Sequence, residues 1–173
     1  MKILQHTLLL VFGIALLSCK DEIKPQPVPA QPLAVKADTA VALRDSVVAF
    51  AKKYMGIKYC YASADPKKGF DCSGFVNYVY KHFNIDLPRS SSGFKSLGKP
   101  LKPADFKVGD VLVFYGYRDK NHIGHVGIVC EANGMQSKFI HASSGSEMAV
   151  TISELGSDMY TRRFYKCVNP FTL

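Results

Sequence analysis

The chain has 173 residues, of which 47% are hydrophobic, 12% aromatic and 21% charged. This apolar fraction excludes a largely disordered polypeptide, and the length allows one domain with its own core rather than two. Lys and Arg number 22 against 14 Asp and Glu, a net charge of +8, which favours an anionic partner such as nucleic acid, a membrane surface or an acidic polymer.

The first predicted element is an address rather than a fold. Lys2 supplies a positive start, and residues 8–17 read LLLVFGIALL. That run is too short for a bilayer-spanning helix of about 20 residues and suits a secretory signal. Leu16-Leu17-Ser18-Cys19 resembles the lipobox of bacterial lipoproteins, whose cysteine is lipidated and becomes the first mature residue. The resemblance implies a signal peptide over residues 1–18, lipidation of Cys19, and a place on a membrane of the bacterial cell envelope, periplasmic or surface-facing. Residues 19–37 read as a tether, because Pro25, Pro27, Pro29 and Pro32 favour extended polyproline II at about 3.1 Å per residue. Residues 38–173 remain as one domain. Residues 1–37 carry four Lys and two acids, so the domain holds 18 basic against 12 acidic side chains. An exported chain seldom meets nucleic acid, so nucleic-acid binding is set aside and a carboxylate-bearing polymer fits the charge better.

Within the domain, Ala42, Leu43, Val47, Phe50, Ala51 and Tyr54 recur at helical spacing. They predict an amphipathic helix over 38–55, with Asp38 or Thr39 as N-cap and Gly56 as its stop. A long loop over 57–71 leads to a second helix from about Cys72 to His82, with Phe75, Val76, Val79, Tyr80 and Phe83 on one face. An irregular link follows, with a short helix near 94–97. After Gly109-Asp110 the period becomes two, and residues 111–115, 125–131 and 137–142 predict strands. Weaker strands are expected at 148–152 and 162–168. Helices first and strands second define an α+β fold, an antiparallel sheet with the helices on one side.

The chemistry concentrates at three residues. Cys72 stands where a loop enters a helix, and the unpaired N–H groups and positive dipole there favour a thiolate. Taken alone, such a cysteine is most simply a small buried side chain. The histidines change that balance. His125 opens one strand and His141 closes the next, with Ala132-Asn133-Gly134 as the turn between them. A three-residue loop centred on Asn133, with Gly134 left-handed, would set the two histidines directly opposite each other on one face. A two-residue Asn133-Gly134 turn would put them on opposite faces unless a bulge intervened. In the first arrangement Cys72 attacks a carbonyl, His125 takes and returns the proton, and His141 orients the imidazole. The Cys72 N–H is a natural oxyanion donor.

Asp71-Cys72-Ser73-Gly74-Phe75-Val76, Gly109-Asp110-Val111, His125-Val126-Gly127-Ile128 and Ile140-His141-Ala142 resemble, in order and spacing, the motifs of NlpC/P60 cell-wall cysteine peptidases. Leu87-Pro88-Arg89-Ser90 and the Tyr59 segment fit as well, and the match covers roughly 40–168. The resemblance implies a papain-like fold, with N-terminal helices packed on a central antiparallel sheet. It implies Cys72 as nucleophile, His125 as base and His141 as orienting residue. Tyr59 would lie beside the nucleophile with its hydroxyl near the oxyanion or substrate. Asp71 and Ser73, which in some relatives read the amino end of the stem peptide, become candidates for substrate contact. The implied activity is hydrolysis of amide bonds in peptidoglycan stem peptides, at the γ-D-Glu–diamino acid bond or at a crosslink, by a monomer needing no cofactor.

Two departures fall where substrate would be gripped. Tyr61-Ala62-Ser63 stands where the family commonly has two glycines, and no glutamine follows in Ser92-Gly93-Phe94. An amidase or acyltransferase on a non-wall substrate is one alternative. A non-catalytic wall-binding lipoprotein is another, and retention of all three polar residues speaks against it. Zinc is disfavoured, because no HExxH or CxxC pattern is present. Arg89 reads as a structural anchor, and Cys130 as a core residue. A disulfide through Cys60 or Cys167 is not expected.

Overall fold

The computed structural model describes residues 33–173, with side chains from 38 onward. The signal peptide, Cys19 and most of the tether lie outside the described residues. Helix α1 (Leu33–Lys52) starts ahead of Asp38. It ends in turns that reach Gly56, whose φ of +81° suits a glycine at a helix exit. A small hairpin of β1 (Ala64–Asp65) and β2 (Gly69–Phe70) occupies the expected loop. Helix α2 spans Cys72–Lys81 with His82 as C-cap, as its apolar spacing predicts. The short helix of the link is a 3-10 turn over Ser91–Lys95.

Strands β3 (Val111–Tyr115), β4 (Ile123–Glu131), β5 (Lys138–Ala142), β6 (Val150–Glu154) and β7 (Phe164–Val168) form one antiparallel sheet in the order β6-β5-β4-β3-β7. One face carries Val111, Val113, Val126, Ile128 and Ile140 against Val47, Ala51, Phe75, Val76 and Val79 of α1 and α2. The other face is not bare. Leu112, Phe114, Val129 and Phe139 pack there with Tyr160, which belongs to a third helix, α3 (Asp158–Arg163). The expected strand over 162–168 is therefore a helix at its beginning, and helices cover both faces of the sheet.

The β4–β5 register corrects the predicted pairing. Ile128 faces Ile140 and Val129 faces Phe139, with a bulge between Val129 and Glu131. Extended toward the site, this register puts Gly127 opposite His141, so His125 and His141 are diagonal neighbours rather than directly opposed. They still share a face, because the offset is two residues. Gly134 has the expected left-handed φ of +53°, but the connection runs over six residues, 132–137, rather than the expected three-residue loop, and the bulge restores the shared face that such a loop would have set. The register also explains Gly127: a Cβ there would lie 2.5 Å from Phe139 Cδ2 and 3.1 Å from His141 Cβ. The missing side chain lets Phe139 and His141 lean across β4.

The first helix is fastened from below. Arg44 Nη1 donates to Val108 O and Asp110 Oδ1, both at 2.8 Å, and Nη2 donates to Asn169 Oδ1 at 2.9 Å. Asp110 Oδ2 accepts the Lys107 N–H at 2.8 Å. The Tyr80 hydroxyl of α2 donates to Gly109 O in the same region. The Gly109-Asp110 motif is thus where α1, α2 and β3 meet.

Candidate active site

Cys72 is the first residue of α2. Its position follows from Asp71, the N-cap, whose Oδ1 accepts the Gly74 N–H at 2.6 Å while its carbonyl accepts the Phe75 N–H at 2.9 Å. Gly74 is needed for a different reason: a Cβ there would fall 2.2 Å from Ser63 O. Its absence lets the helix start press on the backbone of the loop that follows Tyr59, and the Asp71 N–H donates to the same Ser63 carbonyl at 2.9 Å.

Cys72 is 8% exposed and its Sγ lies 3.9 Å from the carbonyl oxygen of Gly124, the residue before His125. Backbone N–H groups of Val126, Ser73 and Cys72 also point at the sulfur. His125 is 7% exposed and His141 fully buried. His125 Nε2 and His141 Nδ1 are 2.9 Å apart, with the rings nearly perpendicular at 89°. The sequence-derived trio is therefore assembled from the start of α2, the beginning of β4 and the end of β5.

A groove of about 430 Å³ opens over the thiol, lined by Tyr59, Tyr61, Asp71, Cys72, Ser73 and Arg89 among others. Tyr59 lines the same groove as Cys72. Burial pushes its hydroxyl pKa up to about 12, with the nearby Cys72 and Asp71 adding to the shift, so it remains a proton donor. Asp71 is less available than a substrate-reading carboxylate would be. Arg89 Nη1 donates to its Oδ1 at 3.0 Å and Nη2 to its Oδ2 at 2.7 Å, while Ser73 Oγ donates to Oδ1 at 3.2 Å. Arg89 is the anchor the sequence suggested, holding the link segment to the helix cap.

The electrostatics correct one expectation. Burial raises the Cys72 thiol above its ordinary range and Asp71 raises it further; the three N–H groups only oppose this. Burial, then His141 and Arg163, push His125 well below the usual imidazole value. The helix terminus therefore does not by itself produce a standing thiolate. Burial thus works against a standing charge on either group, opposing the thiolate at Cys72 and the imidazolium at His125. Cys130 and Cys167 are buried, and burial raises both thiols. Cys60 is half-buried, and all four described cysteines are unpaired.

The same burial gives the fold an acid limit. His141 is held down from 6.5 to about 4, chiefly by burial. Its contribution to stability is fully present above 6.5 and is lost as pH falls toward the folded value, because the unfolded chain binds a proton that the folded chain refuses. At 1.36 kcal/mol per unit the loss is about 3 kcal/mol by pH 4, and His125 shifts in the same direction. Urea unfolding at pH 7.5 and pH 4.5 is expected to show a larger loss for the wild type than for His141→Gln. Equal losses would contradict the assignment.

Ser153, Tyr160 and Arg163 surround the histidines and escaped the sequence reading. The predicted strand at 148–152 stopped one residue before Ser153, and the helix carrying Tyr160 and Arg163 was not expected. No cluster of three or more His, Cys, Asp or Glu suited to a metal occurs among the described residues.

Residues 56–169 match the model of the NlpC/P60 family, and the chain belongs to that family. It is 39% identical to a gamma-DL-glutamyl hydrolase of Bacillus subtilis over 127 residues, 73% of this chain and 29% of that protein. It is 29% identical to a murein DD-endopeptidase/murein LD-carboxypeptidase of Escherichia coli over 113 residues, 64% of this chain and 54% of that protein. The chain therefore spans from under a third to about half the length of these relatives. A crystal structure of an NlpC/P60 family protein from Bacillus cereus superimposes with a TM-score of 0.64 at 25% identity, covering 73% of this chain and 39% of the other. The fold is the papain-like one of this family.

Proposed function

We propose that the protein is a cysteine peptidase that hydrolyses amide bonds in peptidoglycan stem peptides. The observation that carries this reading is the 2.9 Å His125–His141 bond behind a cysteine that faces an open groove at a helix start. In the proposed reaction Cys72 Sγ attacks the amide carbonyl carbon as its proton moves to His125 Nδ1. The Cys72 N–H and the Tyr59 hydroxyl stabilise the oxyanion. The C–N bond then breaks, the amine leaves with the proton from His125, and a thioester remains on Cys72. Water gives a proton to His125 and its hydroxide cleaves the thioester, releasing a carboxylate and restoring the thiol. One water is consumed per bond.

Lipid attached at Cys19 would hold the enzyme at a membrane of the bacterial envelope, and the proline tract would let the domain reach the wall. The basic domain suits a polymer rich in carboxylates. The relatives carry names for three cleavages, by a gamma-DL-glutamyl hydrolase, a murein DD-endopeptidase and a murein LD-carboxypeptidase; the two bonds proposed for this chain, γ-D-Glu–diamino acid and crosslink, are the ones tested. A free tripeptide with a γ-D-Glu–diamino acid bond and a crosslinked muropeptide dimer are incubated separately with the protein. Cleavage of one, seen as a new amine and carboxylate by mass spectrometry, supports the reading and names the bond. Neither being cut, under conditions where the protein is folded, would overturn it.

A further inference from the structure

The second nitrogen of His141 has a specific partner. His141 Nε2 lies 2.9 Å from Ser153 Oγ, and Ser153 in turn hydrogen-bonds the Tyr160 hydroxyl. Tyr160 Oη is itself 3.4 Å from His141 Nε2. The placement follows from the sheet. On β5 and β6, His141 faces Thr151 and Phe139 faces Ser153, so Ser153 is the diagonal neighbour of His141, as His141 is of His125. The three side chains make one diagonal row across β4, β5 and β6.

We propose that Ser153 is a positioning residue of the hydrolytic site, fixing the tautomers of His141 and His125; this rests on the peptidase reading above. A neutral imidazole has one N–H and one lone pair. To accept the Cys72 proton, His125 must keep Nδ1 as its lone pair, which leaves the hydrogen on Nε2. That Nε2–H needs an acceptor, so His141 must present Nδ1 without a hydrogen and carry its own on Nε2. An acceptor is then required at His141 Nε2, and Ser153 Oγ is there. The hydroxyl can accept from His141 while donating its own hydrogen to the Tyr160 oxygen, as the lowering effect of Ser153 on the Tyr160 pKa requires. Glu147 and Arg163 act on His141 through their charges, with opposite signs, and the Ala142 backbone hydrogen-bonds the ring; at Nε2 itself Ser153 Oγ, at 2.9 Å, is a nearer partner than Tyr160 Oη at 3.4 Å. Without Ser153, His141 can place its hydrogen on Nδ1. His125 Nε2 must then accept, its hydrogen moves to Nδ1, and the base faces away from the thiol.

The experiment compares wild type, Ser153→Ala and Ser153→Thr by steady-state kinetics and by NMR of the histidine ring nitrogens. In wild type, both His125 and His141 are expected as the Nε2–H tautomer at pH 7.5. Ser153→Ala is expected to lower kcat about 10- to 100-fold, by analogy with the loss when a partner that fixes the tautomer of a metal-bound histidine is removed, with KM within about twofold. Its His141 signal should move to the Nδ1–H or a mixed form. Ser153→Thr, which keeps the hydroxyl, should restore both kcat and the wild-type tautomer. A Ser153→Ala protein with kcat within twofold of wild type would overturn the proposal, as would one that keeps the Nε2–H tautomer. If wild type cleaves no stem peptide, the peptidase reading fails, and the NMR comparison still judges Ser153 independently.

Discussion

Replacing Cys72 by alanine is expected to lower kcat/KM for stem-peptide hydrolysis by about 10⁵- to 10⁶-fold, the loss seen when a nucleophile acting as a unit with its base is removed. The magnitude follows from the geometry. The groove residues, the helix-start N–H groups and Tyr59 would still bind substrate and polarise its carbonyl, so KM should change little. Only that residual stabilisation is left to act on attack by water. Cys72→Ser is expected to recover very little, because burial that already raises a thiol pKa leaves an intrinsically weaker acid, the hydroxyl, protonated. His125→Ala should approach the same floor, and the double variant should lose no more than either alone. Single-turnover rates on a defined peptide check this; a Cys72→Ala protein within tenfold of wild type would remove the nucleophile from the account.

Asp110→Ala carries the largest expected effect on stability, a loss of about 3–5 kcal/mol. Its partner Arg44 is 12% exposed and Asp110 only 1%, so truncation strands a guanidinium with two remaining acceptors and frees the Lys107 N–H. Burial raises the Asp110 carboxyl pKa even against Arg44 and Lys107. The pair's attraction therefore does not fully offset its desolvation, and its worth appears when one partner is removed. Asp110→Ala with Arg44→Met should be less destabilised than Asp110→Ala alone, because no unpaired charge stays behind. Urea denaturation of the three proteins measures this directly. Equal midpoints for wild type and Asp110→Ala would show that the clamp between α1 and β3 contributes nothing.

The parts of this molecule that were legible in its sequence are those where one periodicity dominates. Helix α2 has its apolar face at Phe75, Val76, Val79 and Tyr80, all buried, and β3 occupies the predicted 111–115. The shared face of His125 and His141 was legible only as one of two alternatives, and the structure reaches it through the bulge: Glu131 pairs with Lys138 in an odd register beside the turn, and the shift before Val129–Phe139 makes it even. That bulge has no marker residue in the sequence, so neither it nor the diagonal setting it produces could be read there. Helix α3, reading DMYTRR, is too short to show a period, so Tyr160 and Arg163 were invisible as neighbours of the site. Asp71 illustrates a different limit. Its position beside Cys72 is explicit in the sequence, but its bidentate bond to Arg89 depends on how the link folds back. The helix dipole at Cys72 could likewise be inferred locally, whereas the burial that outweighs it is a property of the whole fold.

The central claim is that Cys72 does the chemistry, and the protein contains its own control in Cys60, the more exposed thiol. The direct measurement is residual hydrolytic activity as iodoacetate modifies the protein, with the extent of modification at each cysteine read by peptide mapping. Activity is predicted to fall in proportion to carboxymethylation of Cys72 and to reach zero when Cys72 is fully modified, whatever the state of Cys60. Activity that persists with Cys72 fully modified, or that disappears in step with Cys60 alone, would contradict it.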